Sequence, residues 1–213
     1  MKKIVLIGGG GHAASVLDAL IRRIEFEVVG IVDPSVRVGE TLLGIPFLGG
    51  DEELPKIFNS GVKAATISVG SIENTDLRVK LYKMVKDIGF YLPVVRDPTA
   101  IVGCGSQISE GTFIGKGAIV NALSEIGKMA IINSNVVIEH ECKIGEYCHI
   151  APGSILGGKV NVGDYTHIGI GSVIIQGVNV GRYSLIGAGS VVIKDIAGHK
   201  IAYGNPCREK ESI

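Results

Sequence analysis

The chain contains no tryptophan, and aromatic residues make up only 5% of it. Cores of ordinary layered domains draw much of their buried area from rings, so this interior is built from aliphatic side chains. An excess of either charge is also missing: 21 lysines and arginines balance 21 aspartates and glutamates, for a formal net charge of +0. That balance argues against a protein that coats nucleic acid or an acidic membrane. No apolar run approaches the roughly 18 residues that a membrane-spanning helix needs, so no membrane insertion is expected. The N-terminal segment Met1-Lys2-Lys3-Ile4-Val5-Leu6-Ile7 runs straight into glycines and shows no signal-peptide pattern. The four cysteines, Cys104, Cys142, Cys148 and Cys207, have no zinc-site spacing, which makes a reducing cytoplasm the expected compartment. What the chain holds in excess is glycine, 31 of 213 residues, about twice the usual share.

Residues 1–97 alternate between strand and helix patterns. Lys3–Ile7 is a short apolar strand, followed by the turn Gly8-Gly9-Gly10-Gly11-His12. Ala13–Glu25 then places Ala13, Val16, Leu17, Leu20, Ile21 and Ile24 on one helical face. Glu27–Val32 is a second strand ending at Asp33, Asp51–Phe58 a short helix and Lys63–Val69 a third strand. Asn74 is placed to cap a helix carrying Leu77, Leu81, Val85 and Ile88, and Phe90–Val95 follows as a last strand. This alternation predicts a small Rossmann-like parallel sheet flanked by helices. Asp97-Pro98 marks its end.

From Val102 the period changes. Every sixth residue from Val102 through Ile138 and Ile150 to Val192 is isoleucine, valine or leucine, sixteen positions without a break. Two residues earlier runs a column of small residues, including Ser106, Thr112, Ser124, Cys142, Cys148, Ser154 and Ser184. Glycine often follows the aliphatic position, as at Gly127, Gly145, Gly163 and Gly169. A six-residue period fits neither helix nor ordinary strand. It fits a β-solenoid with one short strand and one turn per hexad, three hexads per coil and a narrow triangular core. The small column, Cys142 and Cys148 included, fills space beside the aliphatic residue, and glycine suits the corners. The solenoid spans residues 98–196, and 197–213 is left as a C-terminal tail.

This repeat resembles the left-handed parallel β-helix of the hexapeptide acyltransferases. The Gly-Gly-Gly-Gly-His-Ala run at Gly8–Ala13, the small α/β domain before the repeat, Ile138-Glu139-His140-Glu141-Cys142 and Gly204-Asn205-Pro206 narrow the resemblance. They point to the branch that acetylates nucleotide-linked amino sugars and sialic acids. The fold class expected is therefore α/β plus all-β. The resemblance implies an acetyl-CoA-dependent N-acetyltransferase, a homotrimer, acting on a nucleotide-linked amino sugar, with sialic-acid O-acetylation as the alternative. A zinc hydratase and a non-catalytic nucleotide-sugar binding module are the readings from other classes; no metal is expected.

His140 lies two places past the buried Ile138, where side chains leave the core. Its imidazole titrates in the right range to accept a proton, and a carboxylate such as Glu141 strengthens it. On the residues alone, a surface histidine in a charged turn is equally consistent, and neighbours on an extended segment point apart. The resemblance assigns His140 as general base and Glu141 as its modulator. It also places His149, Ile170, Ala188 and Arg208 on acetyl-CoA, with a solvated tail an equal account of Arg208. His167, one coil after His149, is read as a stacked ladder partner. Cys207 departs from the alanine usual in the terminal signature. In the first domain, a glycine turn that opens a helix offers amides to a phosphate or sugar, or merely closes strand-helix packing. The ends of the three strands converge on one sheet edge. The resemblance assigns Gly10, Gly11, His12, Asp33 and Gly70 to the nucleotide sugar.

Overall fold

The computed structural model describes residues 1–35, 39–72 and 74–212. It divides into two compact units, Met1–Pro98 and Thr99–Ile213. In the first unit, β1 (Lys2–Ile7) is buried from Ile4 onward, as a central strand covered on both faces must be. It pairs in parallel with β2 (Phe26–Val32) and, on its other side, with the strand Ala64–Ile67. Between these in sequence lie β3 (Thr41–Leu42) and β4 (Ile45–Gly49); numbering Ala64–Ile67 as β5, the sheet order is β3-β4-β2-β1-β5. β4 runs parallel to β2, and β3 turns back antiparallel at the edge.

The helices among the described residues are α1 (Gly11–Ile21), α2 (Leu54–Asn59) and α3 (Asp76–Ile88), with a 3-10 turn at Asp51–Glu53 before α2. α1 buries Ala13, Val16, Leu17, Ala19 and Leu20. It stops earlier than its apolar spacing suggests, and Ile21 and Ile24 are 51% and 85% exposed. The chain must turn there to start β2, where Glu25 C=O accepts from Lys2 N–H at 3.1 Å, so strand pairing overrides helical periodicity. Asn74 Oδ1 accepts from Asp76 N–H at 2.6 Å, holding the entry to α3 one residue before its N-cap, Thr75. The expected strand over Phe90–Val95 is broken up: Tyr91 makes a single bridge with Ala64, and only Val95 lies in a strand, the two-residue Val95–Arg96.

The second unit is a three-faced solenoid. The first face stacks Ile101–Val102, Ile119–Val120, Val137–Ile138, Ile155–Leu156, Val173–Ile174 and Val191–Val192. The second stacks five strands, from Gln107–Ile108 to Asn179–Val180. The third carries Phe113–Ile114, Ile131–Ile132, His149–Ile150, His167–Ile168 and Leu185–Ile186. Partners are parallel and eighteen residues apart, as with Ile132, Ile150 and Ile168. Of the sixteen aliphatic repeat positions, only Val102 and Ile108 in the first coil are half-buried; the others are buried. Residues 197–213, expected as a tail, continue the third face: Lys200–Tyr203 pairs in parallel with Leu185–Ile186 and then antiparallel with Arg208–Ser212.

Two features sharpen the sequence reading. The small column does more than fill space, because its hydroxyls and thiols donate to corner carbonyls fifteen residues on. Ser124 Oγ reaches Glu139 C=O at 2.9 Å, Ser154 Oγ reaches Gly169 C=O at 2.9 Å, and Cys142 Sγ reaches Gly157 C=O at 3.2 Å. Each bond satisfies a corner oxygen that strand pairing leaves over. The glycines after the aliphatic position serve close approach, not a left-handed backbone. A Cβ at Gly127 would lie 2.6 Å from the Gly145 carbonyl carbon. The left-handed position falls two residues later and is often not glycine, as at Met129, Glu141, Tyr147 and Lys159. No ring occupies the inner aliphatic column of the solenoid: Tyr147, Tyr165, Tyr183 and His199 stack along one corner with centroids 5.3, 4.6 and 5.1 Å apart. No helix among the described residues is long and apolar enough to cross a membrane.

Ile150 is fully buried with an isoleucine above and below it. Replacing it with alanine is expected to cost about 2–4 kcal/mol, read as a lower urea midpoint for unfolding.

Candidate functional site

The strand ends of the first unit meet around β1. Gly8 N–H donates to Val32 C=O at 2.8 Å and Ser68 N–H to Ile7 C=O at 2.8 Å. Ser68 Oγ also donates to Gly8 C=O at 2.6 Å. Above this junction opens a cavity of about 500 Å³ whose wall includes Gly10, Gly11, His12, Asp33 and Gly70. All five residues that sequence reasoning assigned to a nucleotide sugar therefore share one wall.

The four glycines divide in two. Gly8 has φ +99° and no room for a Cβ beside Val69, and a Cβ at Gly9 would strike the Phe47 ring. These two close the strand-helix turn. Gly10 and Gly11 have nothing within 4 Å of an added Cβ, so packing inside the chain does not require glycine there. They form the N-cap and first residue of α1, which has no side-chain cap. The first-turn amides of a helix lack intrahelical partners and carry its positive end. Here that end lines the cavity.

Asp33 is held by its own loop. Its Oδ2 accepts from Gly9 N–H at 2.6 Å, and Oδ1 accepts from Ser35 N–H at 2.9 Å and Ser35 Oγ at 2.6 Å. Burial alone raises the carboxyl, but the Ser35 and Gly9 hydrogen bonds outweigh it and hold Asp33 below the usual carboxylate value. Asp51, which sequence reasoning missed, lines the same cavity. Burial, then the neighbouring Glu52, pushes its carboxyl up, and Asp33 adds to the effect against the opposing charge of Lys80. The available signal was Gly49-Gly50-Asp51, a second strand end followed by an acid.

In the second unit, His140 and Glu141 sit at the corner between the first and second faces. An extended chain would splay them apart. Glu141 instead takes the left-handed conformation at φ +58°, and the bend brings its Oε2 to 3.0 Å from His140 Nδ1. With Nδ1–H donated to the carboxylate, Nε2 keeps its lone pair for a proton. Lys159, one coil on, places Nζ 3.7 Å from the same carboxylate oxygen. All three side chains are open to solvent.

His149 and His167 pair in register on the third face, their rings edge to face at a centroid distance of 4.8 Å. His149 Nε2 lies 3.1 Å from Asn133 Nδ2. Ile170 and Ala188 follow at the corner between the third and first faces, both exposed, in consecutive coils. Arg208 turns back on its own segment, with Nη1 donating to Cys207 C=O at 2.9 Å. In a triangular coil the corner between faces one and two is opposite face three. One chain thus brings His140 to Glu141, and His149 to His167, but holds the two pairs on opposite sides. Within one chain the same separation keeps the three histidines apart. No cluster of three or more His, Cys, Asp or Glu suited to a metal occurs among the described residues. Cys142 and Cys148 are fully buried, and burial pushes the Cys142 thiol up.

His167 is 9% exposed, and its Nδ1 has no hydrogen-bond partner among the described residues. Burial first, then His149, lowers its pKa from 6.5 to about 4. Between those values the unfolded chain takes up a proton that the folded chain refuses. The His167 contribution to stability is therefore complete above about pH 6.5 and declines as pH falls toward 4. Urea titrations across that range are expected to show stability falling with pH, with a smaller slope in His167→Gln.

Family comparison matches residues 3–85 to the PglD N-terminal domain and residues 123–158 to the bacterial transferase hexapeptide (six repeats). No curated protein matches the sequence. Among solved structures, a histidine-to-asparagine variant of perosamine N-acetyltransferase from Caulobacter crescentus, in complex with CoA and GDP-perosamine, superimposes with a TM-score of 0.92. It is 35% identical, covering 100% of this chain and 98% of that one. A second structure of the Caulobacter enzyme with the same two ligands has a TM-score of 0.90 at 36% identity, covering 99% and 98%. The acetyltransferase domain of PglB from Neisseria gonorrhoeae FA1090, in complex with acetyl coenzyme A, has a TM-score of 0.85 at 28% identity, covering 98% and 99%. A Rossmann-like unit, a hexapeptide solenoid and this full-length similarity together place the chain in the hexapeptide-repeat acetyltransferases, in the family of nucleotide-amino-sugar N-acetyltransferases.

Proposed function

We propose that this enzyme transfers the acetyl group of acetyl-CoA to the amino group of a nucleotide-linked amino sugar. The observation that carries the chemistry is the 3.0 Å contact between His140 Nδ1 and Glu141 Oε2, which orients the ring and leaves Nε2 as proton acceptor. The sugar amine attacks the thioester carbonyl. A nitrogen-carbon bond forms, the carbon-sulfur bond breaks, and the amine proton passes to His140 Nε2 and on to the departing CoA sulfur. Relatives crystallised with CoA and GDP-perosamine, and with acetyl coenzyme A, support this pair of substrates.

The cavity of the first unit holds the nucleotide in this reading. Its described wall carries Asp33 and Asp51 and no lysine or arginine, so anionic phosphates are disfavoured at the carboxylate side. They belong at the α1 N-terminus, on the amides of Gly11 and His12, where Gly10 and Gly11 leave the approach open. The carboxylates then face the neutral, hydrogen-bond-donating part of the nucleotide, with His12 and Gly70 on the wall between. Four unpaired cysteines suit a reducing cytoplasm, the compartment assigned here.

Acetyl-CoA is assigned to His149, Ile170, Ala188 and Arg208. Because one chain holds these residues away from His140, the reaction centre is completed by a neighbouring copy. The first face supplies the contact. Its outward column is Ile101, Ile119, Val137, Ile155, Val173 and Val191, aliphatic throughout, whereas the second face presents Gln107, Glu125, Lys143, Asn161 and Asn179. A homotrimer packed on first faces would hide the apolar column and bring the Ile170–Ala188 corner of one copy toward His140 of the next.

Two outcomes test the reading. In a thiol-release assay across UDP-, dTDP- and GDP-linked amino sugars and sialic acids, one amino sugar nucleotide should stand out. On it His140→Ala should lose about 10²-fold or more in kcat, and a nearly unchanged rate removes His140 as the base. Ile155→Asp, which puts a charge on the apolar column, should sediment as a monomer and lose activity. An active monomer would refute the shared site.

A further inference from the structure

His140 stands on an exposed corner with its side chain 56% accessible, where a free imidazole would sample several rotamers. The contact with Glu141 fixes one end of the ring. The other end rests on the next coil. Gly158 lies one coil beyond His140, and a Cβ built there would come within 2.7 Å of His140 Nε2, 2.8 Å of Cε1 and 3.3 Å of Cδ2. Contacts below about 3 Å force a displacement, and the groups involved are the edge of the ring that carries the acceptor nitrogen.

The turn itself does not call for glycine at this position. The equivalent residues of successive coils are Cys104, Ala122, His140, Gly158, Gln176 and Lys194. The corner thus accepts thiol, methyl, amide and amine side chains, and Gly158 is not among the glycines with positive φ. Glycine occurs only in the coil directly above His140. The flanking backbone is also tied down: Lys159 N–H donates to His140 C=O at 2.9 Å, and Gly177 N–H donates to Gly158 C=O at 2.9 Å.

We infer that Gly158 is a positioning residue, whose missing side chain seats the His140 ring against the next coil and keeps its Nε2 edge open to the amine. The inference rests on His140 as the base. Gly158→Ala adds one methyl at a turn position that alanine already fills at Ala122, so the fold and the thermal midpoint should be retained. The methyl should push the ring off its seat and cover Nε2.

A double-mutant cycle isolates the effect. Gly158→Ala alone should lower kcat by about 10²-fold, as for loss of a general base, with KM for acetyl-CoA and for the amino sugar nearly unchanged. In the His140→Ala background the same change should alter kcat by less than about twofold, because the group it acts through is gone. Wild-type kcat in Gly158→Ala overturns the inference. So does an equal loss in both backgrounds, which would mean that Gly158 acts on substrate independently of His140. If His140→Ala itself keeps full turnover, the base assignment falls and this role of Gly158 falls with it. A normal His140→Ala loss beside an active Gly158→Ala counts against Gly158 alone. A crystal structure of Gly158→Ala should show the imidazole displaced from its contact with the neighbouring coil.

Discussion

Coils of eighteen residues lie directly on one another, and backbone hydrogen bonds join them on all three faces. Strands so paired sit about 4.8 Å apart, and their turns must approach as closely as the strands do. The other features of the second unit follow from that spacing. Where two corner backbones meet, a Cβ has no space, and glycine appears at Gly127, Gly145, Gly163 and Gly169. Where a corner carbonyl is left unpaired, a serine, threonine or cysteine of the inner column donates to it from fifteen residues before. Rings are too large for the inner column of the triangle, and tyrosine stacks on tyrosine along one corner. At one corner the same closeness sets Gly158 against His140, so coil spacing bears on the ring proposed as the base.

The two units apply different physics to the reaction. The first offers a pocket of mixed polarity, with the amide end of α1 on one side and two carboxylates on the other. Its Asp33 is engaged by Gly9 and Ser35 and shapes the loop, while Asp51 faces the same cavity with its carboxyl pushed up by burial. The second unit offers a stiff rod that repeats positions at fixed intervals. Such a rod presents the His140–Glu141 pair at one corner and an edge-to-face histidine pair on the opposite face, but a single rod cannot fold them onto each other. The proposed site is completed by assembly, and the aliphatic first face is the contact proposed for it.

Much of this was legible from residue order. The unbroken sixfold column from Val102 to Val192 defines the solenoid without reference to any relative, because no other common element has that period. The strand-glycine-helix pattern at Ile7 to Ala13 and the acid at the end of β2 located the cavity before its volume was known. Errors arose where local periodicity met a tertiary demand. Ile21 and Ile24 continue a helical stripe that the chain abandons in order to enter β2. Residues 200–212 carry no hexad, yet they extend the third face through backbone pairing, which side-chain pattern does not encode.

Sequence alone therefore determined the architecture of both units and nominated the candidate site residues, since these rest on short-range pattern and on the chemistry of single side chains. Tertiary structure decided how those residues meet. It bent Glu141 through a left-handed turn onto His140, brought Asp51 to the cavity of Asp33, and separated the His149 pair from His140 by the width of a coil. It also reassigned the glycine excess: some glycines close turns, some admit a neighbouring coil, and Gly158 makes room for a ring. These are distances between residues far apart or differently turned in the chain, and they exist only once the backbone has closed on itself.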